Sequence, residues 1–139
     1  MLDKTTDLAS HLKRPDLLCQ KAFLAGEWVD AKSGKTINVT NPARGDVIAT
    51  VPDLSREEIK IAIAAADKAR KGWAAQTGKA RAAVMRKWFD LMMENQEDLA
   101  IIMTAEQGKP LTESRGEVAY GASYIEWFGE EAKRNYGET

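Results

Sequence analysis

The chain has 139 residues, of which 44% are hydrophobic and 29% are charged, and its formal net charge is −1 at pH 7. This composition is typical of a globular protein and excludes a disordered or fibrous chain. No apolar run approaches the roughly 20 residues that a membrane-spanning helix needs, and a nearly neutral charge argues against a nucleic-acid partner. We therefore expect neither a membrane nor a nucleic acid among the partners.

Residues 1–20 are expected to form a flexible N-terminal segment that precedes the folded part. The segment has neither the apolar core of a signal peptide nor the acid-poor character of a transit peptide, so we expect a cytoplasmic location. It contains Cys19, the only cysteine, and His11, the only histidine. No internal disulfide is possible, and a single histidine rules out a His-based metal cluster. We interpret Cys19 as a lone thiol and His11 as a mobile side chain, and we predict no metal site.

Residues 21–54 are predicted to form two small antiparallel hairpins. Short β-type runs alternate there with turn residues, as around Ala25-Gly26-Glu27 and around residues 41–46. Gly26 and Gly45 can supply the positive φ that tight turns require, and Pro42 fixes φ at a value that suits a type I or II turn.

In residues 55–139 the apolar residues recur with a period of about 3.6, which is typical of helices. We predict about four helices there. Ser55 and Glu58 have the spacing of a capping box, which predicts the start of the first helix, and Gly72 is expected to fray its end. Thr77 is the predicted cap of the second helix, and Asn95 with Asp98 that of the third. Gly108 is expected to end the third helix. Three apolar stripes follow from this spacing: Ile59, Ala62, Ile63, Ala66, Ala69 and Trp73 on the first helix, Val84, Trp88, Leu91 and Met92 on the second, and Leu99, Ile102 and Met103 on the third.

The fourth helix, predicted over residues 110–135 with Pro110 in its first turn, is apolar on two sides. One face carries Val118, Ala122, Ile125, Gly129 and Ala132, and an adjoining stripe carries Tyr120, Tyr124, Trp127 and Phe128. A helix with so wide an apolar arc requires cover on two sides, such as a sheet beneath it and another element beside it. No strands that could form such a sheet are evident in the sequence, so further structure is expected to cover this helix.

Several short motifs identify a family. Asn41-Pro42-Ala43-Arg44-Gly45 and Glu106-Gln107-Gly108-Lys109-Pro110-Leu111 are followed by residues 123–128 and by Tyr136-Gly137-Glu138-Thr139. Together they resemble the N-terminal portion of the aldehyde dehydrogenase superfamily, and within it the succinate-semialdehyde dehydrogenases. The resemblance implies an α/β parent fold with a Rossmann-like cofactor domain. Residues 21–139 would then be the N-terminal part of that domain.

The resemblance also implies an activity, which is the oxidation of an aldehyde to a carboxylate with NAD or NADP. In the family a cysteine thiolate attacks the aldehyde, and a glutamate activates the water that releases the product. The sequence contexts of these residues do not occur here, so we assign no catalytic residue to the chain. It also lacks a G-x-G-x-x-G spacing, and we assign no cofactor-binding residue and expect no cofactor bound by this segment alone. The family tendency implies a homo-oligomer, either a dimer or a tetramer.

The aromatic stripe of the fourth helix has two possible roles. By resemblance this helix borders the substrate-entry tunnel, and Tyr120, Tyr124 and Trp127 fall where tunnel-facing side chains are expected. The alternative is that these side chains pack in a core.

Two other functions remain open from the residues. The chain could be a short non-catalytic binding or assembly module that docks through exposed apolar helix faces, which a cooperative, monodisperse fold would indicate. It could also touch nucleic acid through residues 68–89, a stretch with seven basic and no acidic side chains before Asp90. We favour a solvated helix surface for this stretch, because the overall charge is balanced.

Overall fold

The computed structural model describes residues 7–134, 136 and 137. Two turns of 3-10 helix, Leu8–His11 and Pro15–Leu17, precede two hairpins and four α-helices, in the predicted order. The strands are β1 Ala22–Leu24, β2 Glu27–Val29, β3 Thr36–Thr40 and β4 Val47–Pro52. The helices are α1 Arg56–Ala74, α2 Gly78–Glu94, α3 Gln96–Gln107 and α4 Leu111–Glu131.

The first hairpin pairs β1 with β2 in antiparallel register, with Phe23 opposite Trp28. Its two-residue turn places Ala25 at φ 52° and Gly26 at φ 98°. Positive φ at both positions is the geometry that matches the twist of the flanking strands, so the predicted role of Gly26 is confirmed. The rings of Phe23 and Trp28 meet edge to face with centroids 5.2 Å apart.

The second hairpin pairs β3 with β4 around a six-residue loop. Asn41 opens the loop, and its backbone nitrogen donates to the Asp46 carbonyl at 2.9 Å. Gly45 has φ 79°, as predicted, and its nitrogen donates to the Asn41 carbonyl at 2.7 Å. Arg44 pairs with the Asp46 carboxylate at 2.8 Å. The loop is thus closed by its own polar groups.

The first 3-10 turn, Leu8–His11, packs against α3, and the flexibility expected for residues 1–20 stays a prediction. Leu8 and Leu12 are buried, at 5% and 7% exposure. The backbone nitrogens of Lys13 and Arg14 donate to the two carboxylate oxygens of Asp98 at 3.1 and 2.8 Å. Periodicity did not reveal this contact because it joins residues 84 and 85 positions apart. Residues 1–6 lie outside the described part of the chain.

His11 is half-buried, and its Nε2 is enclosed without a hydrogen-bond partner among the described residues. The interpretation of His11 as a mobile side chain is therefore wrong. Cys19 is exposed. Within the described ranges there is no cluster of three potential metal-ligating side chains, and no helix there is long and apolar enough to cross a membrane.

Helix α1 begins with the predicted capping box. The Ser55 hydroxyl accepts from the Glu58 nitrogen, and the Glu58 carboxylate accepts from the Ser55 nitrogen at 2.8 Å. The same carboxylate accepts from the Lys32 nitrogen at 2.9 Å, which ties α1 to the loop after β2. Hydrogen bonds from Lys32 and then from Ser55 lower the pKa of buried Glu58 to about 2. The helix ends at Ala74, with Gly72 in its last turn, and the fraying expected there stays a prediction.

The apolar stripe of α1 lies open in this chain. Ile59, Ile63 and Trp73 are exposed, Ile63 to 65%, and Glu58 is the one buried residue of the helix. An apolar stripe on a helix normally packs against a neighbouring element. The described residues provide no such neighbour for Ile63.

Thr77 caps α2, as predicted, by accepting from the Ala80 nitrogen at 3.1 Å. Asn95 joins α2 to α3, but its side chain donates to the Leu91 carbonyl of α2 at 2.8 Å and makes no capping bond to α3. The carboxylate of Asp98 accepts its hydrogen bonds from the backbone of Lys13 and Arg14. Asn95 is thus the N-cap residue of α3, as predicted, but neither its side chain nor that of Asp98 makes a capping bond, because both have other partners.

The turn between α3 and α4 is largely as predicted. Gly108 has φ 82° and ends α3 in the left-handed conformation. Pro110 has φ −58° and ψ 141°, so it flanks α4 and does not belong to its first turn. The helix ends at Glu131, earlier than predicted, and residue 135 lies outside the described residues.

Replacing Asp98 with asparagine should destabilise the fold by about 2 kcal/mol, because an amide offers one oxygen to two backbone donors and turns its NH2 group toward one of them. The free energy of unfolding from urea titration measures this loss. Asp67→Asn is the matched control, since Asp67 is an exposed residue that pairs with Arg70. Equal stability of the two variants would contradict the role given to Asp98.

Replacing Glu58 with glutamine should lower stability in a pH-dependent way. The folded pKa of Glu58 lies near 2, below its ordinary 4.5, so its carboxylate stabilises the fold at pH values above about 4.5. That contribution is lost as the pH falls from 4.5 toward 2. Urea unfolding should therefore separate Glu58→Gln from the parent protein at pH 7 and much less at pH 2.5. Glu57→Gln removes a charge from an exposed position of the same turn, and a parallel pH profile for it would contradict this account.

Candidate functional site

Helix α4 is positioned by its inner face. Val118, Ala122 and Gly129 are buried there, and α4 packs against both α2 and α3. The approach to α2 is close, since a Cβ added at Gly129 would lie 3.2 Å from the Met85 Cβ, and one added at Gly78 would overlap the Ala132 carbonyl oxygen. Small residues at these positions let the two helices meet at short distance.

Polar contacts fix the rotation of α4 about its axis. The hydroxyls of Ser114 and Thr104 lie 2.8 Å apart, and Ser114 is fully buried. Arg115 donates to both carboxylate oxygens of Glu97 at 2.6 and 2.7 Å. This bidentate pair lowers the pKa of the Glu97 carboxyl through its hydrogen bond with Arg115. These contacts hold α4 against α3 and direct its opposite side outward.

The outward side of α4 is the aromatic stripe. Tyr120 and Trp127 are 61% and 62% exposed, and Tyr124 and Phe128 are exposed as well. An open groove of about 630 Å³ follows the stripe. It is lined mainly by apolar surface, to which Ser123, Glu126 and Arg134 add polar groups. Core packing of the stripe, the alternative interpretation, is not found among the described residues.

Within the groove two tyrosines form a pair. The hydroxyl oxygens of Tyr120 and Tyr124 lie 2.5 Å apart, and their rings meet edge to face with centroids 5.0 Å apart at 85°. The hydrogen bond with Tyr124 raises the pKa of the Tyr120 hydroxyl, and desolvation and the charge of Glu117 raise it further. The Ser123 hydroxyl donates to the Tyr120 carbonyl at 2.7 Å.

The structure thus brings Tyr120, Tyr124 and Trp127, the three residues predicted to face a tunnel, into one groove. Their role as tunnel residues stays a prediction. Sequence reasoning missed that the two tyrosine hydroxyls pair with each other, although their i, i+4 spacing was a signal for it. Arg134, which lies after the end of α4, also lines the groove and was not among the predicted residues.

The groove can contact and orient a ligand but carries no group suited to covalent chemistry. Its polar groups in the described region are hydroxyls and ion-paired charges, such as Glu131 with Arg134 at 3.2 Å and Glu126 with Arg86 at 2.8 Å. A second groove, between the first hairpin and α1, is lined by Phe23 and by small residues including Ala62, Ala66 and Ala69. It offers apolar surface without a titratable pair.

The basic stretch at residues 68–89 is partly neutralised. Arg70 pairs with Asp67 at 3.1 Å, and Arg86 pairs with Glu126 at 2.8 Å and Glu130 at 3.6 Å. The cation of Arg86 also lies 5.1 Å from the centre of the Phe89 ring. These contacts are those of a solvated helix surface with local ion pairs.

Comparison with known proteins shows the class to which this architecture belongs. The model of the aldehyde dehydrogenase family matches residues 28–139. The chain belongs to the aldehyde dehydrogenase family, as its motifs predicted.

Two named relatives show which members of the family the chain is similar to. The chain is 59% identical over 93% of its length to a glutarate-semialdehyde dehydrogenase from Pseudomonas putida, and 53% identical over 92% of its length to the NADP-dependent succinate-semialdehyde dehydrogenase of Escherichia coli. In each case it covers 27% of the relative. The chain therefore spans about a quarter of the length of the curated relatives it matches, at their N-terminal end.

Solved structures agree with this placement. The chain superposes on an aldehyde dehydrogenase from Brucella melitensis biovar abortus 2308 with a TM-score of 0.90 and 61% identity, covering 92% of this chain and 26% of that one. It matches a succinate-semialdehyde dehydrogenase from Burkholderia pseudomallei with a TM-score of 0.89 and 51% identity, covering 92% and 27%. The two hairpins and four helices are thus the N-terminal part of an aldehyde dehydrogenase fold.

Proposed function

We propose that this chain is the N-terminal segment of an NAD(P)-dependent semialdehyde dehydrogenase, an oxidoreductase that converts an aldehyde to a carboxylate. The observation that carries the proposal is 53–59% identity to dehydrogenases of succinate and glutarate semialdehyde across more than nine tenths of the chain. The substrates in both names carry a carboxylate at the end opposite the aldehyde. A small aldehyde with a distal carboxylate is therefore the substrate class we propose.

The segment itself contributes scaffold. Its two sheets in the described region are separate antiparallel pairs, whereas a dinucleotide is held at the turn between a parallel strand and a helix. The described residues do not fit a dinucleotide, and we assign no cofactor contact and no catalytic step to them. NADP or NAD would be bound by the rest of the enzyme, which would also supply the nucleophile. We further propose a cytoplasmic homo-oligomer, a dimer or a tetramer, on the strength of the family resemblance.

The outer face of α4 is proposed to form one wall of the substrate tunnel. Its inner face is occupied by α2 and α3, so its orientation is fixed before any substrate binds. The aromatic stripe then presents rigid, exposed surface with few polar groups to the space beside it. Such surface suits a path for a small organic substrate.

The direct test is an assay of the native protein from its source. The intact mass is measured on the purified polypeptide, and NADP- or NAD-dependent oxidation of succinate and glutarate semialdehyde is measured on the same sample. Activity from a polypeptide well above 15.4 kDa is expected. A native mass of 15.4 kDa without activity would refute the enzyme proposal for this chain.

The alternative, a binding or assembly module, is favoured by one observation, the open stripe of α1 around Ile59, Ile63 and Trp73. An independent module should unfold cooperatively and remain monodisperse. A segment that has lost its covering structure should bind hydrophobic dyes or aggregate. Dye fluorescence and light scattering on the isolated chain therefore separate the two functions.

Replacing Tyr120 with alanine in the full-length enzyme should raise the Michaelis constant for the aldehyde roughly threefold to tenfold, because an aromatic contact surface is removed from the tunnel wall. Steady-state kinetics measure the change. Phe23→Ala is the matched control, since Phe23 is an equally exposed aromatic residue on the first hairpin. An unchanged Michaelis constant for Tyr120→Ala would remove Tyr120 from the tunnel.

A further inference from the structure

The tyrosine pair on α4 has a hydrogen-bonding capacity that a plain aromatic wall does not need. Two hydroxyls that lie 2.5 Å apart share one hydrogen, which leaves the other hydrogen free for an outside acceptor. Tyr120 and Tyr124 are both exposed, at 61% and 48%, so a ligand in the groove can reach that hydrogen. A pair of phenylalanines would offer the same apolar surface without any donor.

We propose that the hydroxyl pair of Tyr120 and Tyr124 binds the carboxylate of the semialdehyde and so selects a charged substrate over an uncharged aldehyde. This inference rests on the proposed function. One hydroxyl donates to the other, and the second donates to the carboxylate. A hydrogen bond to a charged acceptor is about twice as strong as one between neutral groups, and a chain of two such bonds polarises its members.

The charges around the pair are compatible with an anion. Glu117, one turn before Tyr120, is paired with Lys109 at 2.6 Å, and Glu126, two residues after Tyr124, is paired with Arg86 at 2.8 Å. Glu130 and Glu131 also line the groove, and they are paired with Lys133 at 2.7 Å and with Arg134 at 3.2 Å. Each of these acids thus has a cationic partner.

The protonation state also suits a donor. The pKa of the Tyr120 hydroxyl is raised above its ordinary value of 10, first by the hydrogen bond with Tyr124. The hydroxyl thus keeps its proton at neutral pH and can donate it to Tyr124, which leaves the Tyr124 hydrogen for an anionic acceptor.

The test compares Tyr120→Phe and Tyr124→Phe with the parent in the full-length dehydrogenase. Each variant removes one hydroxyl and keeps the ring. The substrates are succinate semialdehyde and butanal, which has the same carbon skeleton without the carboxylate. In at least one variant, the ratio of kcat/KM for succinate semialdehyde to that for butanal should fall about tenfold, mainly through KM. The kinetics with butanal should stay close to those of the parent.

Trp127→Phe is the control, because it alters the apolar wall without touching a hydroxyl. It should change kcat/KM for both aldehydes by a similar factor. A substrate ratio that stays at the parental value in both tyrosine variants would overturn the proposal while leaving the proposed function intact. Failure of the parent enzyme to oxidise succinate semialdehyde would instead refute the proposed function, and this proposal with it.

Discussion

The structure depends on the close packing of α4 against α2 and α3. That packing is possible because small residues face the neighbours, with Gly78 and Gly129 at the points of nearest approach and Ala122 fully buried. Larger side chains there would push the helices apart and change the direction in which α4 presents its other side. The aromatic stripe is exposed as a consequence, since a helix that buries one face tightly cannot bury the adjoining face in the same contact. The inner face thus determines where the stripe points.

Two buried carboxylates, one on α3 and one on α1, each join a helix to a segment outside it. Asp98 accepts two backbone hydrogen bonds from the N-terminal turns, and Glu58 accepts from the loop after β2 while it caps α1. In both cases an acid on a helix binds backbone donors from a distant segment. A carboxylate is suited to this role because it offers two oxygens to several donors, and each charged acceptor strengthens the bond.

Much of the local structure could be predicted from the sequence, because its determinants are local. The capping box at Ser55, the cap at Thr77 and the left-handed Gly108 each follow from a few adjacent residues. The roles of Asp98 and Asn95 could not, because their partners lie elsewhere and the same side chains also suit a cap. The packing of residues 7–18 was missed for the same reason. Helical periodicity placed the tunnel candidates on one aromatic stripe, and the family resemblance implied their tunnel role, but neither identifies the hydrogen bond between Tyr120 and Tyr124.

The exposed surfaces and the family comparison fit one another. Ile63 on α1 and Trp127 on α4 lie open in a chain that spans about a quarter of the length of its relatives. A segment with this much open apolar surface is suited to packing against further protein and lining a path within it. The proposed dehydrogenase gives both surfaces a purpose, one as contact with the remaining fold and the other as tunnel wall.

The most direct test of the central claim is a crystal structure of the full-length enzyme with succinate semialdehyde or an unreactive analogue bound. The account predicts that α4 keeps its inner face on α2 and α3, and that Tyr120 and Tyr124 lie in van der Waals or hydrogen-bonding contact with the ligand. An aromatic stripe sealed inside the protein core, with the ligand reaching its site along other elements, would contradict it.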